Sequence, residues 1–390
     1  MKQGGASILV IWLTVFIDLL GFSIIIPILP DLAVTLGGGK VALAVAALYA
    51  LMNFLFAPLW GSMSDRIGRR PVILISIFIT ALAQFFFGFI TTFWMLMLQR
   101  SLAGIGSANI SAANAYMADV STKETRTRNM GLIGAAFGMG FIIGPVVGGY
   151  LYEAEGMMGV GIASGMLSVV NLIMAYLLLP ESIREKNPEA VRVVNPVIPL
   201  VKAMVHRGIR GIFLLNFLNI AAFSLMQVTA ALLWEEHFLL SKKEIGLMFS
   251  FIGLCAVLVQ FLLVGALNRW LGEKRLLVVG LVIMLIALGS MPLVPTIYWE
   301  LVTLAGLALA TGCVNPSLLS LLSAQAGPKE QGNILGLNQS LGSLGRVAGP
   351  VMGGVLYAID FRIPYLGASF ILLFALIFTF DLFRKRVIQV

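Results

Sequence analysis

Long apolar stretches, separated by short polar connections, run along the whole chain. Each holds at least about 20 residues, the length that crosses the hydrocarbon layer of a bilayer as an α-helix. The glycines and prolines inside them are tolerated in membrane helices because neighbouring helices satisfy the freed backbone groups. The pattern predicts twelve spans, six in each half of the chain, at residues 8–30, 40–62, 71–92, 94–118, 130–152, 157–179, 210–234, 245–268, 275–294, 298–323, 333–357 and 364–383.

The composition indicates an integral membrane protein. Hydrophobic residues make up 59% of the chain and charged residues only 11%, with a mean hydropathy of +0.98, which does not fit a soluble core-and-surface protein. One long polar connection interrupts the pattern. It predicts an N-terminal six-helix bundle at 1–181, a cytoplasmic linker at 182–207, too short for a catalytic domain, and a C-terminal six-helix bundle at 208–390.

The basic residues predict the orientation of the chain. Of its 26 lysines and arginines, 20 fall in the N-terminus, the even-numbered connections and the C-terminus, whereas the odd-numbered connections hold only Lys40, Lys242, Lys243 and Arg362. The positive-inside rule then places both termini in the cytoplasm. The net charge of +8 is therefore a topology signal and does not indicate nucleic-acid binding. The compact connections favour a bacterial plasma membrane, the inner membrane.

A pattern of glycines and a proline, G-x8-G-x3-G-P-x2-G-G, occurs twice, 205 residues apart. A repeat at half the chain length in an apolar sequence is typical of transporters whose two halves rock about a shared site. The copies hold Gly131, Gly140, Gly144, Pro145, Gly148 and Gly149, and Gly336, Gly345, Gly349, Pro350, Gly353 and Gly354.

The glycines at every fourth residue predict a helix face without side chains. Gly140, Gly144 and Gly148 line one face of the fifth span, where another helix can approach closely, and Pro145 bends that span by removing a backbone donor. We favour a gating interface between moving halves, because the pattern recurs at matched positions. A tight but static helix pair is the alternative.

A polar loop between spans two and three reads GSMSDRIGRRP. We expect Asp65 to face the positive N-terminus of span eleven near Gly332, and Arg69 and Arg70 to hold carboxylates or lipid headgroups. Such a contact would latch the cytoplasmic side shut. A plain basic stop-transfer cluster explains the arginines but not the embedded Asp65. The loop holds Gly61, Asp65, Arg66, Gly68, Arg69 and Arg70.

Five segments together carry a family resemblance. GSMSDRIGRRP is similar to the signature loop of the major facilitator superfamily, and the glycine pattern resembles its antiporter motif. LQRSLAGIGSA with Arg100 and LPES at 179–182 look like a third and a fourth motif of that superfamily. The opening IDLLGFSIIIPILP resembles that of tetracycline-efflux-like drug:proton antiporters. The match weakens in the second half, where Arg269 replaces Asp65.

The resemblance implies an all-α membrane fold of twelve helices in two pseudo-symmetric six-helix bundles, working by alternating access. It implies that the loop holding Asp65 stabilises the outward-open state. It also implies that Arg100 takes part in proton relay and contacts the first span; an arginine bonded to broken backbone carbonyls is the structural alternative.

Three ionisable residues lie deep in the predicted spans: Asp18, Arg100 and Arg346. Such residues are costly in a bilayer and are functional or paired. Asp18 lies about 15 Å from the cytoplasmic end of its helix at 1.5 Å per residue, where a carboxylate suits proton or substrate coupling. A permanent pair with a buried arginine or a helix terminus is the alternative. Arg346 either attracts an anionic or zwitterionic cargo or pairs with Asp18, and both interpretations stay open.

The side chains left to line a cavity are aromatic or amide. Span three carries Ala83 and Gln84 where the tetracycline-efflux proteins have a further acid, which argues against metal-chelated tetracycline as cargo. The lining suits amphipathic, lipophilic molecules, although a single asparagine is more often a contact between helices. The candidates are Phe22, Asn53, Phe56, Asn114, Asn216, Asn219, Phe223, Gln227, Gln260, Asn315, Asn338 and Gln339.

No pattern indicates an enzyme. The chain has no G-x4-GK-[ST] loop, no metal-spaced His/Cys cluster and only two histidines, so we expect no cofactor, no metal and no direct use of ATP. The sequence predicts a monomeric exporter, surrounded by membrane lipids, that exchanges a small amphipathic compound for protons. The alternatives are a proton symporter or uniporter of a metabolite, and a membrane sensor that has kept the fold without transport.

Overall fold

The computed structural model describes residues 3–39, 44–121, 126–182, 209–323 and 331–387. Helices make up almost all of these ranges, and no strand occurs in them. The α-helices are α1 (Gln3–Ile24), α2 (Leu29–Ala33), α3 (Val45–Ile67), α4 (Arg69–Phe87), α5 (Phe93–Ser107), α6 (Ile110–Asp119), α7 (Arg126–Leu178), α8 (Arg210–Phe238), α9 (Lys242–Leu258), α10 (Val264–Ser290), α11 (Ile297–Ser323), α12 (Gln331–Ile359) and α13 (Ile363–Val387).

Two long helices are broken at a glycine. In α7 the break is Gly156 (φ 62°, ψ −158°), and in α10 it is Gly272 (φ 73°, ψ 160°). Positive φ with such ψ is reached easily only by glycine, which has no Cβ. Each break turns the chain, so that α7 forms two arms corresponding to spans five and six. A π-helical segment, Val259–Leu263, joins α9 to α10.

The described helices account for the twelve predicted spans. Eight stretches are long and apolar enough to cross a membrane, and two of these, of 41 and 52 residues, contain the breaks at Gly156 and Gly272 and so hold two crossings each. The pair α5 and α6 corresponds to span four, and α12 to span eleven. The protein is an all-α membrane protein, as the hydropathy pattern predicts.

The chain divides into two compact units. The first contains α1, α2, α4 to α7, most of α3 and the segment Leu240–Ser250. The second contains Gly39–Ala47, α8 and the chain from Phe251 onward. The predicted linker lies outside the described residues for most of its length, and the predicted boundaries at 181 and 208 stay predictions.

The repeated glycine faces pack inside each unit. In the first unit, a Cβ on Gly144 would overlap the Ser23 hydroxyl of α1, and that hydroxyl donates to the Gly140 carbonyl across 2.7 Å. In the second unit, Gly345 and Gly349 lie against backbone carbonyls of α8. The geometry therefore favours the alternative of a tight helix pair for Gly140, Gly144, Gly148, Gly345, Gly349 and Gly353, while a gating role for the whole pattern, including Pro145, Pro350 and Gly354, stays a prediction.

Candidate functional site

Asp18 is a buried acid of α1 held by two amides. Its side chain is 7% exposed. Oδ2 accepts a hydrogen bond from Asn109 Nδ2 at 2.7 Å, and Oδ1 accepts one from Asn171 Nδ2 at 3.1 Å. Among the described residues of the first unit, no basic side chain lies within 4.0 Å of this carboxylate. The alternative of a permanent arginine pair is therefore not supported in this unit.

Local chain geometry brings the two amides to Asp18. Asn109 lies between α5 and α6, where the fourth span is interrupted, and Asn171 lies on the second arm of α7. The glycine face on the first arm of α7 lets α1 approach closely, and Asn171 Nδ2 also donates to the Thr14 carbonyl of α1 at 3.2 Å. Neither residue is predicted from the sequence as part of the site. Their signal is an amide inside an apolar span, but only the packing of α1 selects these two among many.

This arrangement would let a proton on Asp18 change how the helices pack. Both amides donate, so together they match an ionised carboxylate that accepts. A proton on Asp18 turns one oxygen into a donor, and an amide N–H cannot accept it. The side-chain oxygen of Asn171, Oδ1, is buried and has no hydrogen-bond partner in the described part of the chain. Turning this amide over would offer that oxygen to the protonated acid, at the cost of the bond to Thr14.

Arg100 lies at the core of the first unit and reaches α1 indirectly. It is 2% exposed, its Nε donates to Gln99 Oε1 at 2.8 Å, and its guanidinium carbon lies 6.0 Å from the centre of the Tyr49 ring. The Tyr49 ring stacks on Phe22 of α1 with centroids 4.5 Å apart. The connection from Arg100 to the first helix thus passes through two aromatic rings, and its predicted part in proton relay stays a prediction.

The predicted cargo residues of the second unit divide into two groups. Asn219 Nδ2 donates to Asn315 Oδ1 at 3.2 Å, and Asn216 Nδ2 donates to the Asn338 carbonyl at 3.4 Å, so these amides join α8 to α11 and α12. Of the remaining residues, Phe223 and Gln227 are half-buried, and Gln339 and Arg346 are exposed. In the first unit, Asn53 donates to the Ser107 hydroxyl at 3.3 Å, and Asn114 is half-buried.

The polar loop after α3 forms a charged cluster at one end of the first unit. Arg69 pairs with Asp65 at 2.6 Å and with Asp119, at the end of α6, at 3.2 Å. The backbone N–H groups of Arg69 and Arg70 donate to the Glu181 carboxylate at 3.0 and 3.3 Å. Glu181 thus accepts at the start of α4, where helix N–H groups lack partners.

Gly68 and Arg70 complete this cluster. Gly68 has φ 115°, and a Cβ there would overlap the Glu181 carboxylate. Arg70 donates to the Tyr176 carbonyl at 2.6 Å and lies over the Tyr176 ring. The sequence analysis missed Asp119, an acid that ends an apolar span. The predicted contact of Asp65 with the start of span eleven, and the gating parts of Gly61 and Arg66, stay predictions.

A second polar cluster joins the segment Leu240–Ser250 to the rest of the first unit. Lys242 pairs with Asp31 of α2 at 3.0 Å. The Lys243 N–H donates to Glu153 at 2.9 Å, and its ammonium lies 4.2 Å from the centre of the Tyr150 ring. A Cβ on Gly149 would lie 2.7 Å from Lys243 Cα. Gly149, unlike Gly140, Gly144 and Gly148, therefore faces this segment rather than α1.

Comparisons with known proteins cover nearly the whole chain. The family model of the Major Facilitator Superfamily matches residues 11–226 and 212–387. The class C tetracycline resistance protein of Escherichia coli is 33% identical over 92% of this chain and 91% of its own, and multidrug resistance protein 2 of Bacillus subtilis is 29% identical over 93% and 91%.

Solved structures show the same fold. The human organic anion transporter MFSD10 superposes with a TM-score of 0.73 at 23% identity, over 96% of this chain and 99% of its own. A bacterial homologue of the human lysosomal transporter Spinster superposes with a TM-score of 0.81 at 15% identity, over 98% and 97%.

Proposed function

Because this chain belongs to the major facilitator superfamily, we propose that it exports small amphipathic compounds from the cytoplasm in exchange for protons. It is a multi-pass membrane transporter of small molecules and not an enzyme. Proton exchange rests on one observation: Asp18 is buried and held by two neutral amides, with no basic partner among the described residues of its unit. The basic connections support cytoplasmic termini, in a bacterial inner membrane.

The coupling step takes place at Asp18. A proton from outside binds the carboxylate, and because the amides of Asn109 and Asn171 are both donors, either one of their two bonds to Asp18 is lost or Asn171 turns over and gives up its bond to Thr14. That loss loosens α1 from either the α5–α6 break or the second arm of α7. Cargo that enters from the cytoplasm favours the ionised carboxylate, and the proton leaves. Neither Asn109 nor Asn171 needs to change charge in this cycle.

The cargo is a lipophilic compound with few charges. The predicted lining is aromatic and amide, and Phe22 with Tyr49 and Phe141 forms an aromatic group in the first unit. The relatives named for tetracycline and multidrug resistance support this class. The absence of an acid at Gln84 of span three favours lipophilic dyes over metal-chelated tetracycline. The transporter acts as a monomer surrounded by lipid, with the Asp65–Arg69 cluster as its cytoplasmic latch.

Cargo uptake driven by an imposed pH gradient tests the proposal. The purified protein is reconstituted into vesicles, and accumulation of ethidium or of tetracycline is followed with the wild type, Asp18→Asn and Asp360→Asn. Asp360 is an exposed acid and serves as the matched control. We expect accumulation with the wild type and Asp360→Asn but not with Asp18→Asn.

The gradient itself separates antiport from the alternatives. Collapse of the pH gradient with a protonophore abolishes accumulation if the transporter is an antiporter. Uphill uptake in the same direction as the protons indicates symport, and equilibration without accumulation indicates a uniporter. Accumulation by Asp18→Asn equal to that of the wild type removes Asp18 from the coupling step.

A further inference from the structure

The second unit contains a buried acid that the sequence analysis did not identify. Glu300, in the first turn of α11, is 0% exposed. Its Oε1 accepts a hydrogen bond from the Trp234 indole N–H of α8 at 2.6 Å. In the part of the chain that the structure describes, no basic side chain lies within 4.0 Å of this carboxyl group. A buried carboxylate without a cation is costly in a low dielectric.

The contacts of Thr303 fit a protonated Glu300. The Thr303 hydroxyl oxygen lies 2.7 Å from the Glu300 backbone carbonyl and 2.9 Å from Glu300 Oε2. A hydroxyl has only one proton to donate, and the shorter contact takes it. The contact with Oε2 is then a hydrogen bond only if the carboxyl group supplies the proton. Glu300 would accept from Trp234 with one oxygen and donate to Thr303 with the other.

A second buried polar group, the hydroxyl of Tyr365, belongs to the same region of the second unit as Glu300. The Tyr365 side chain of α13 is 0% exposed, and its hydroxyl has no hydrogen-bond partner of good geometry among the described residues. It lies close to the Thr229 hydroxyl and within electrostatic range of Glu300 and Glu236. A buried hydroxyl without a partner is unusual in a native structure. The hydroxyl is therefore a candidate donor for Glu300 when the carboxyl group loses its proton.

The ends of the neighbouring helices carry further titratable groups within electrostatic range of Tyr365. Tyr357 of α12 is buried and donates to Glu236 Oε2 at 3.0 Å, and Glu236, at the end of α8, is exposed. The adjoining Glu235 is half-buried and His237 is exposed. The neighbouring helix α10 carries no titratable side chain between Leu276 and Ser290. These helix ends all lie on the side that the basic residues predict to face outward.

We propose that Glu300 is a second proton-binding site, in which Trp234 and Thr303 hold the carboxyl group in both of its forms, Tyr365 donates to the ionised form, and Glu236 connects the site to the outer aqueous phase. In the protonated form Oε2–H donates to Thr303. When the O–H bond breaks, the proton leaves toward Glu236 and the carboxylate accepts from Trp234, Thr303 and Tyr365. This inference rests on the proposed proton antiport, to which it adds one proton per cargo molecule.

Difference infrared spectroscopy of the reconstituted protein tests the site directly. A protonated buried carboxyl group has a carbonyl stretch distinct from that of ionised and exposed acids. We expect a band that disappears as the pH rises, that Glu300→Gln removes and that Asp360→Asn leaves. Glu300→Gln keeps an acceptor for Trp234 and a donor for Thr303, so it preserves the fold. Trp234→Phe keeps the carboxyl group but removes the bond to Oε1, and should shift the band without abolishing it.

The number of protons moved per ethidium molecule is measured with the same variants. The wild type is expected to move one proton more than Glu300→Gln. A Glu300→Gln variant with the wild-type band and ratio would overturn the inference. If the wild type moves no protons with cargo, the proposed antiport fails instead, and the infrared titration, which needs no transport, still decides whether Glu300 binds an exchangeable proton.

Discussion

The Asn109 side-chain amide donates to Asp18 Oδ2 across 2.7 Å, so the residue that interrupts the fourth span holds the buried acid of the first. The bond links Asp18, an acid that can bind a proton, to the interruption between α5 and α6, where the fourth span can bend. Under the proposed function, a proton on Asp18 would act directly on helix packing within the first unit.

Removal of one amide donor should shift the pH dependence of transport. Asn109→Leu deletes a hydrogen bond to a charged group, worth about 1.5–3 kcal/mol, which stabilises the ionised form of Asp18 relative to the protonated form. The half-maximal pH of ethidium transport is therefore expected to move upward, by about one unit for each 1.4 kcal/mol. Ser101→Ala, on the same span and bonded only to the backbone of its own helix, is the control. An unchanged profile for Asn109→Leu would contradict this account of Asp18.

A side chain at Gly144 should separate α1 from α7. A Cβ there overlaps Ser23, and overpacking of this kind costs about 1–3 kcal/mol. Gly144→Ala is expected to lower the thermal unfolding temperature in detergent. Gly265→Ala is the matched control, because a Cβ at Gly265 meets no atom within 4 Å. Equal stability of the two variants would show that the α1–α7 contact is not tight in solution.

The Glu181 carboxylate should stabilise the start of α4. It accepts from the backbone N–H groups of Arg69 and Arg70, and a cap of this kind is worth about 0.5–2 kcal/mol. Glu181→Gln is expected to lower the unfolding temperature and to weaken the dependence of stability on salt. Glu155→Gln removes an exposed acid and should change neither property. A larger effect from Glu155→Gln would argue against this cluster.

The contribution of the Asp31–Lys242 pair to transport should depend on the presence of two opposite charges and not on which residue carries which charge. Asp31→Lys places two cations where the structure has a contact of 3.0 Å, and transport is expected to fall. The exchange Asp31→Lys with Lys242→Asp should restore part of it, with a coupling of about 0.5–1 kcal/mol, as for partly exposed pairs. No recovery in the exchanged variant would mean that the pair contributes through shape alone.

The sequence predicts the architecture well because membrane helices must satisfy every backbone group internally. Hydropathy predicts all twelve spans, and charge placement predicts a consistent orientation. The glycine repeat predicts close helix contacts, and its partners in each unit are α1 and α8. The candidate functional site could be predicted less completely from the sequence. Asp18 stands out as a lone acid, but Asn109 and Asn171 are two amides among many, and only tertiary packing brings them to it.

Glu300 shows why the count of buried acids from sequence was incomplete. It lies two residues from the predicted start of span ten, where an acid normally reaches water. The structure buries it, because α8 covers this end with Trp234. The hydropathy pattern cannot indicate that Glu300 is buried, because burial at a helix end depends on which neighbouring helix extends past it.

Proton release on cargo binding is the measurement that tests the central claim most directly. The purified protein is mixed with ethidium in weakly buffered detergent solution containing a pH indicator, and binding is followed in parallel by fluorescence. If cargo and proton compete at Asp18, the wild type and Asp360→Asn release protons as ethidium binds, and Asp18→Asn binds without that release. If Asp18→Asn releases as many protons as the wild type, or if the wild type binds ethidium at every pH with no release, Asp18 does not couple cargo to protons.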